Sequence, residues 1–416
     1  MRTPAASRAP EERVVITGLG IRTPLGHDLE ALFDALLRNE SAVQACAEWR
    51  EVAEMASYVG SPISDFNGKE IPRKMRRTMG RLAQFAAASA TDAVAQAGLD
   101  EATLGSGRVG VAVGSTLGSS AALEQFWNAY LTEGHTRSLK GGLFFQVMSH
   151  SAATNVALLL GVTGEALACN AACASATQAL VLATERIRAG RADAMLAGGA
   201  DELHPAATLT FDGVGGASTN FNDKPELTPR PFDADRDGVV VAEGSGIVVL
   251  ESLAHARSRG ATILAEVLGG ATSCDARHMA SPSPDGMANC MQLGLDDAGL
   301  DSDQIDYINA HATGTRVGDA SEAEALHRLF GDRVPVSSIK GNLGHMQGAC
   351  GAVEVAVCLE AMKRGVVPPT LHLERSDVAA IDLPITPRRQ PINHVLTTNF
   401  AFGGVNTCLV LGSPRP

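Results

Sequence analysis

Three side chains of this sequence, a cysteine at a tight turn and two histidines among glycines, are of the types that together serve a thiol enzyme. The cysteine is Cys173, within Cys169-Asn170-Ala171-Ala172-Cys173-Ala174-Ser175-Ala176. A thiolate is both a good acyl acceptor and a good leaving group, and imidazole N–H groups stabilise an oxygen that gains negative charge. His311 lies in Tyr307-Ile308-Asn309-Ala310-His311-Ala312-Thr313-Gly314-Thr315, and His345 closes Val336-Ser337-Ser338-Ile339-Lys340-Gly341-Asn342-Leu343-Gly344-His345. Of the eleven histidines these two stand out, because each ends a strand-like run among glycines. A cysteine among alanines is more often a small core residue, and a single histidine more often a satisfied structural one. The chemistry is carried by the set of three.

Each of these side chains needs an element to hold it. Glu165 to Cys169 reads as a short buried strand, and Thr177 to Ala189 as a helix closed by Gly190, so Cys173 falls at a strand–turn–helix junction. There the positive end of the helix lowers a thiol pKa, and the alanines leave room for a sharp bend and a close substrate. The other cysteines, at 46, 169, 274, 290, 350, 358 and 408, have no comparable setting. They form no CxxC pair and no metal-ligand spacing with histidine, so no metal site is expected. Thr398-Asn399-Phe400-Ala401-Phe402-Gly403-Gly404-Val405-Asn406 is a Gly-rich turn before a last strand. It reads either as a hairpin with two core aromatics or as a backbone N–H facing a reacting centre with a phenylalanine gate.

Around these pieces strand and helix alternate, which is the pattern of an α/β protein. Strands are predicted over 13–18, 108–114, 192–199, 246–251 and 262–268, with helices over 29–37, 123–130, 252–259 and 285–298 and a long one within 72–97. Gly18-Leu19-Gly20 is no dinucleotide fingerprint, because no third glycine opens the following helix. A chain of 416 residues calls for two domain-sized halves or one large body. A flexible tail over 1–12 is expected, then halves over 13–254 and 255–416, with no linker-like composition and no visible repeat. A net charge of −12 argues against nucleic acid as a partner. The densest positive cluster, Arg73-Lys74-Met75-Arg76-Arg77 with Arg81, is either a solvated helix face or a dock for an acidic partner. No apolar leader opens the chain and no run approaches the ~20 apolar residues of a membrane span. A cytoplasmic protein with reduced thiols is the expectation.

Taken in order, these segments resemble the β-ketoacyl-acyl-carrier-protein synthases of the elongating type, decarboxylating condensing enzymes of the thiolase superfamily. The resemblance runs from about Arg13 to Gly412. It rests on the Cys173 turn, Pro231-Phe232-Asp233-Ala234-Asp235-Arg236-Asp237-Gly238, Glu243-Gly244, Asn309-Ala310-His311, Lys340 with Gly344-His345, and Phe400-Ala401-Phe402-Gly403-Gly404. It implies a duplicated, five-layered αβαβα thiolase-like fold, although the duplication is not visible in the sequence.

The resemblance also implies roles for residues. Cys173 takes an acyl group from acyl-carrier protein, and His311 and His345 assist decarboxylation of the malonyl-carrier protein. The backbone N–H groups of Cys173 and Phe402 form the oxyanion hole, Thr313 and Thr315 contact the phosphopantetheine arm, and Lys340 with Glu354 is a supporting ion pair. Arg73, Lys74, Arg76 and Arg77 then become a docking patch for the acidic carrier. No metal or organic cofactor is implied, since the 4′-phosphopantetheine arrives on the carrier protein.

The chain departs from the family in having Ala176, Ala312 and Ala401 where glycine is common, and Ala174 after the nucleophile. With 71–77 and 47–49, these look more like type II polyketide and aryl-polyene ketosynthases than housekeeping fatty-acid synthases. Such enzymes act as homodimers or beside a chain-length-factor subunit, and Leu117 and Phe402 are the candidates for chain-length control. Two other readings stay open. One is a non-catalytic partner subunit, against which the intact thiol argues. The other is a thiolase-type acyltransferase, for which Cys350 or Cys408 would be the second cysteine.

Overall fold

A computed structural model describes residues 8–415. Ten strands form its centre: β1 Val14–Arg22, β2 Val109–Gly114, β3 Ala166–Cys169, β4 Ala194–Asp201, β5 Gly244–Ser252, β6 Ala265–Cys274, β7 Tyr307–Asn309, β8 Val336–Ser337, β9 His394–Ala401 and β10 Val405–Gly412. Their order across the sheet is β8-β7-β9-β10-β6-β1-β5-β4-β2-β3. The first five strands lie in the order β3-β2-β4-β5-β1, and the last five repeat it as β8-β7-β9-β10-β6. The directions repeat too. In each half the three strands at the outer end run parallel and the remaining two pairings are antiparallel. β1 and β6 join the halves by pairing Val14–Ile16 with Ala265–Val267.

Four helices fix the layers: α1 Arg81–Ala97, α2 Ser175–Arg188, α3 Pro284–Ala298 and α4 Cys350–Arg364. α2 and α4 pack on each other and fill the middle, while α1 covers the outer face of the first half-sheet and α3 that of the second. This is the duplicated five-layered thiolase-like fold. Strands covered on both faces by helices are apolar along their whole length, and β1, β2, β4 and β5 are buried throughout. Within β1, a Cβ at Gly18 or Gly20 would lie 2.2 Å from Ala93 O or 2.1 Å from Ser89 O. The two glycines therefore let α1 press onto the strand.

The duplication has a sequence signature after all. α1 and α3 both end in Ala-Gly-Leu-Asp, at Ala97-Gly98-Leu99-Asp100 and Ala298-Gly299-Leu300-Asp301, and both glycines are left-handed caps, at φ 68° and 67°. Four residues with diverged flanks are too short to register as a repeat by eye.

Several expectations need correcting. The strand before Cys173 is not buried, because β3 is the outermost strand of its half and exposes Ala166 and Ala168. The long helix within 72–97 is α1, closed by Gly98 as expected, but Met79 lies outside it, because a separate turn over Arg73–Arg76 ends before Gly80, whose extended backbone caps α1. His345 does not end a strand. A helical turn over Lys340–Leu343 and Gly344 at φ 73° separate it from β8. The tail over 1–12 lies outside the described residues only for 1–7. Arg8 is buried, and its guanidinium donates to Leu268 O at 2.6 Å and Asp297 Oδ1 at 2.8 Å.

Candidate active site

The loops after β3, β7 and β8 and the β9–β10 hairpin meet at a cavity of about 410 Å³. In a parallel sheet these are the carboxyl ends of the strands, where backbone groups are free to face a ligand. Cys173, His311, Thr313, Thr315, His345 and Phe402 all line the cavity.

Cys173 occupies a 3₁₀ turn, Ala172–Ala174, that runs straight into α2. Ala172 has φ 47°, a conformation costly for a residue with a Cβ. Ser175 holds that turn: its hydroxyl accepts from Ala171 N–H at 2.9 Å and donates to Ala172 O at 2.6 Å. The buried Cys173 Sγ lies 2.9 Å from His345 Nε2. The His311 ring stands edge-on to that of His345, with centroids 5.3 Å apart and planes at 83°. Sγ and a nitrogen of each ring lie within 4.8 Å of one another.

The electrostatics differ from the helix-field expectation. Burial pushes the Cys173 thiol up to about 12, outweighing the opposing pull of Lys340 and of the turn's own backbone. Burial, then the charge of Lys340, holds both histidines well below their usual value, so both rings are neutral. The fully buried Lys340 ammonium is paired with Glu354. Burial works against its charge, but Glu354, with smaller help from Cys350 and Glu322, more than offsets this and keeps the ammonium protonated.

A frame of polar groups at and behind the cavity wall was not legible as such in the sequence. Asn399 Nδ2 donates to Glu354 Oε2 at 2.8 Å and lies 3.4 Å from His311 Nδ1. Glu322 accepts the N–H groups of His311 and Ala312 at 2.8 and 2.7 Å, and Asp319 accepts that of Thr313 at 3.0 Å. Asp201 accepts from Ser115 Oγ at 2.7 Å, Thr116 N at 2.8 Å and Gly348 N at 2.7 Å, tying the loop after β2 to the His345 segment. Burial lifts Asp201 and Asp319 to about 6 and Glu322 to about 7 against these donors. Asn399 stood inside a segment already singled out. Glu322 and Asp319 look like ordinary helix acids, and only the fold turns them inward.

Other predicted site residues fall elsewhere. Lys340 and Glu354 lie behind the rings rather than on the cavity wall. Leu117 is 40% exposed and absent from the lining. Phe402 sits in the hairpin turn, 42% exposed, its ring 5.6 Å from that of Phe211, a cavity residue the sequence did not mark. Arg73, Lys74 and Arg77 are exposed and Arg76 half-buried, whereas Arg81 is committed to the buried Glu243 through bonds of 2.7 and 2.8 Å. Arg81 therefore leaves the proposed docking cluster. All eight cysteines are free, and neither Cys350 nor Cys408 lines the cavity. Cys350 nevertheless has the setting the sequence denied it, with its Sγ 3.0 Å from His345 Nδ1.

Residues 11–256 match the family pattern described as Beta-ketoacyl synthase, N-terminal domain, and 264–374 match Beta-ketoacyl synthase, C-terminal domain. The chain belongs to the β-ketoacyl synthase family. It is a condensing enzyme of the acyltransferase type. The ketoacyl synthase alpha subunit of the tetracenomycin polyketide synthase from Streptomyces glaucescens is 37% identical over 424 residues, covering 98% of this chain and 99% of that protein. A β-ketoacyl synthase crystal structure from Burkholderia phymatum is 41% identical with a TM-score of 0.94, covering 97% of this chain and 100% of that one. The structure of a type II polyketide acyl-carrier protein in complex with its ketosynthase bound to the hexaketide has a chain 29% identical with a TM-score of 0.87, covering 97% and 99%. Among the described residues, no helix of this synthase is long and apolar enough to cross a membrane.

Proposed function

We propose that this synthase extends acyl chains in type II polyketide or polyene assembly, with Cys173, His311 and His345 as its catalytic residues. The observation that carries the reading is the buried Cys173 Sγ at 2.9 Å from Nε2 of a neutral His345, with a neutral His311 beside it. Cys173 sulfur attacks the acyl thioester of acyl-carrier protein, and its proton departs on the pantetheine thiol. Malonyl-carrier protein then enters and loses carbon dioxide. The electron pair of the broken C–C bond moves onto the thioester oxygen, where two imidazole N–H donors stabilise the enolate more than the ground state. The α-carbon attacks the acyl-Cys173 carbonyl, whose oxygen is received by the backbone N–H groups of Cys173 and Phe402, and the Cys173 thiolate leaves. Lys340, paired with Glu354, adds to burial in keeping both rings neutral, each with one N–H to donate.

Thr313 and Thr315, with hydroxyls 3.2 Å apart on the cavity wall, would receive the phosphopantetheine arm. Arg73, Lys74, Arg76 and Arg77 would receive the acidic carrier. Loss of carbon dioxide drives the condensation, and no free cofactor enters this scheme. The dimer, homomeric or with a chain-length-factor-like subunit, would form on the β3 edge. That edge packs on helix 151–160, and exposed Trp127, Tyr130, Leu131, Phe144, Phe145 and Leu158 belong to the helices of this region. Leu117 would close the acyl pocket once that face is covered, with Phe402 as the gate at the other side.

The test is intact-mass spectrometry after incubation with a panel of acyl-carrier proteins and then malonyl-carrier protein, with and without a partner subunit. Acylation of the native chain, its loss in Cys173→Ala, and elongated product after malonyl addition are expected. No acylation under any condition overturns the reading.

A further inference from the structure

His345 has two ring nitrogens and the reaction uses one of them. Nε2 faces Cys173 and the cavity, while Nδ1 points into the core, where its hydrogen-bond partner among the described residues is Cys350 Sγ at 3.0 Å. Cys350 is the first residue of α4 and is wholly buried. A neutral imidazole carries one proton, and the group bonded to the other nitrogen decides where it sits. The Cys350 thiol is held protonated, because burial raises it well above the ordinary thiol value. It therefore has an S–H to give, as does Cys173 on the Nε2 side, so the neutral ring accepts from one thiol and donates to the other. A neutral ring that accepts that S–H at Nδ1 must carry its own proton on Nε2.

We infer that Cys350 is a positioning residue for this synthase: its thiol donates to Nδ1 of His345, fixes the ring, and holds the Nε2 proton toward Cys173 and the incoming thioester. The inference rests on the condensing reading above. Nε2–H is the form that stabilises a developing Cys173 thiolate and later the enolate oxygen. Without a donor at Nδ1, the two tautomers of a buried neutral ring compete, and the Nδ1–H form presents a lone pair to an oxygen that needs a proton donor.

The pseudo-symmetric position supports a built contact. Ser175, the first residue of α2, also turns its side chain back into the preceding turn, bonding Ala172 O and Ala171 N. In the first half this side chain braces backbone; in the second, the equivalent thiol braces the catalytic ring.

The experiment is ¹⁵N NMR of selectively labelled histidine in the resting full-length protein, paired with single-turnover acylation and condensation, for the native chain, Cys350→Ala and Cys350→Ser. In the native chain His345 is expected as the Nε2–H tautomer. Cys350→Ala should show mixed tautomers and condense about 10-fold more slowly, the worth of one neutral hydrogen bond, with KM for malonyl-carrier protein nearly unchanged. Cys350→Ser, whose hydroxyl can donate, should restore the tautomer and most of the rate. An unchanged tautomer in Cys350→Ala overturns the inference whatever the kinetics, and so does a native condensation rate in that variant. A native chain that neither acylates nor condenses overturns the condensing reading instead, a result separate from the tautomer, which is read without substrate.

Discussion

Three residues before α2 stands Ala172 at φ 47°, and three residues before α4 stands Gln347 at φ 50°. One position further on, the first half has Cys173 and the second has Gly348. Five positions before the helix the first half has Asn170 and the second has His345. Both halves thus bend the chain identically ahead of a central helix, and the groups proposed as catalytic sit at different steps of the same bend. Because the two helices pack side by side, a thiol offered by one bend meets an imidazole offered by the other. The duplicated scaffold supplies the approach, and the unmatched positions supply the chemistry.

Substitution at the matched step separates these contributions most sharply. Cys173→Ala is expected to lower acyl transfer by about 10⁴-fold, as removal of a nucleophile does, with the melting temperature nearly unchanged. Gly348→Ala should do the reverse. A Cβ there would lie 2.8 Å from Asp201 Oδ2 and 3.0 Å from Thr116 N, both parts of the buried frame. The overpacking should cost about 2 kcal/mol of stability, seen in chemical denaturation, while activity falls only as far as the frame shifts. Equal stability losses in the two variants would break the idea that matched positions have unlike duties.

Each half also grips its second loop with a buried acid: Asp201 holds the loop after β2, and Glu322 the loop after β7. The latter gives a pH test. Glu322 is lifted to about 7 from 4.5. With the folded value above the unfolded one, its contribution is fully present below 4.5 and is lost as pH rises through about 7. Glu322→Gln should therefore flatten the stability profile between pH about 5 and 7, removing up to about 1.4 kcal/mol per pH unit. Differences in denaturation free energy between variant and native chain at those two pH values measure it. A constant difference would mean that Glu322 does not titrate in that window.

The legibility of the site followed the same division. Cys173, His311 and His345, which the structure brings together at one cavity, could be singled out because small residues and glycines crowd around them. The frame could not, because Asp201, Asp319 and Glu322 are ordinary acids until the fold points them at backbone N–H groups. Strand–helix alternation revealed the class; β1 and β5 ran longer than predicted, and β4 ran two residues past the glycines expected to end it, because these glycines serve close packing rather than termination. The burial of β3 was misread for a related reason: an apolar edge strand and a central one have the same composition. Cys350 was passed over because its partner lies five residues back on another turn, which spacing rules for metal ligands or redox pairs do not cover.

The smallest expected effect concerns a feature the halves do not share. Ahead of α1 the first half carries Arg73, Lys74, Arg76 and Arg77, none of them in an ion pair among the described residues. Ahead of α3 the second half carries Arg277, which is already paired with Asp285 at 3.3 Å. A carrier protein with an acidic face would then be recognised by one half only, and that asymmetry would fix which approach the pantetheine arm takes to the cavity. Arg76→Glu with Arg77→Glu should raise KM for the carrier substrate by about 5-fold at low salt, with acylation by a free pantetheine thioester unchanged. Exposed charges are screened over a Debye length of about 8 Å at physiological ionic strength, so the difference should shrink as salt rises. A KM change that persists at high salt, or one equally large for the free thioester, would assign the effect to the fold of the Arg73–Arg76 turn rather than to carrier recognition.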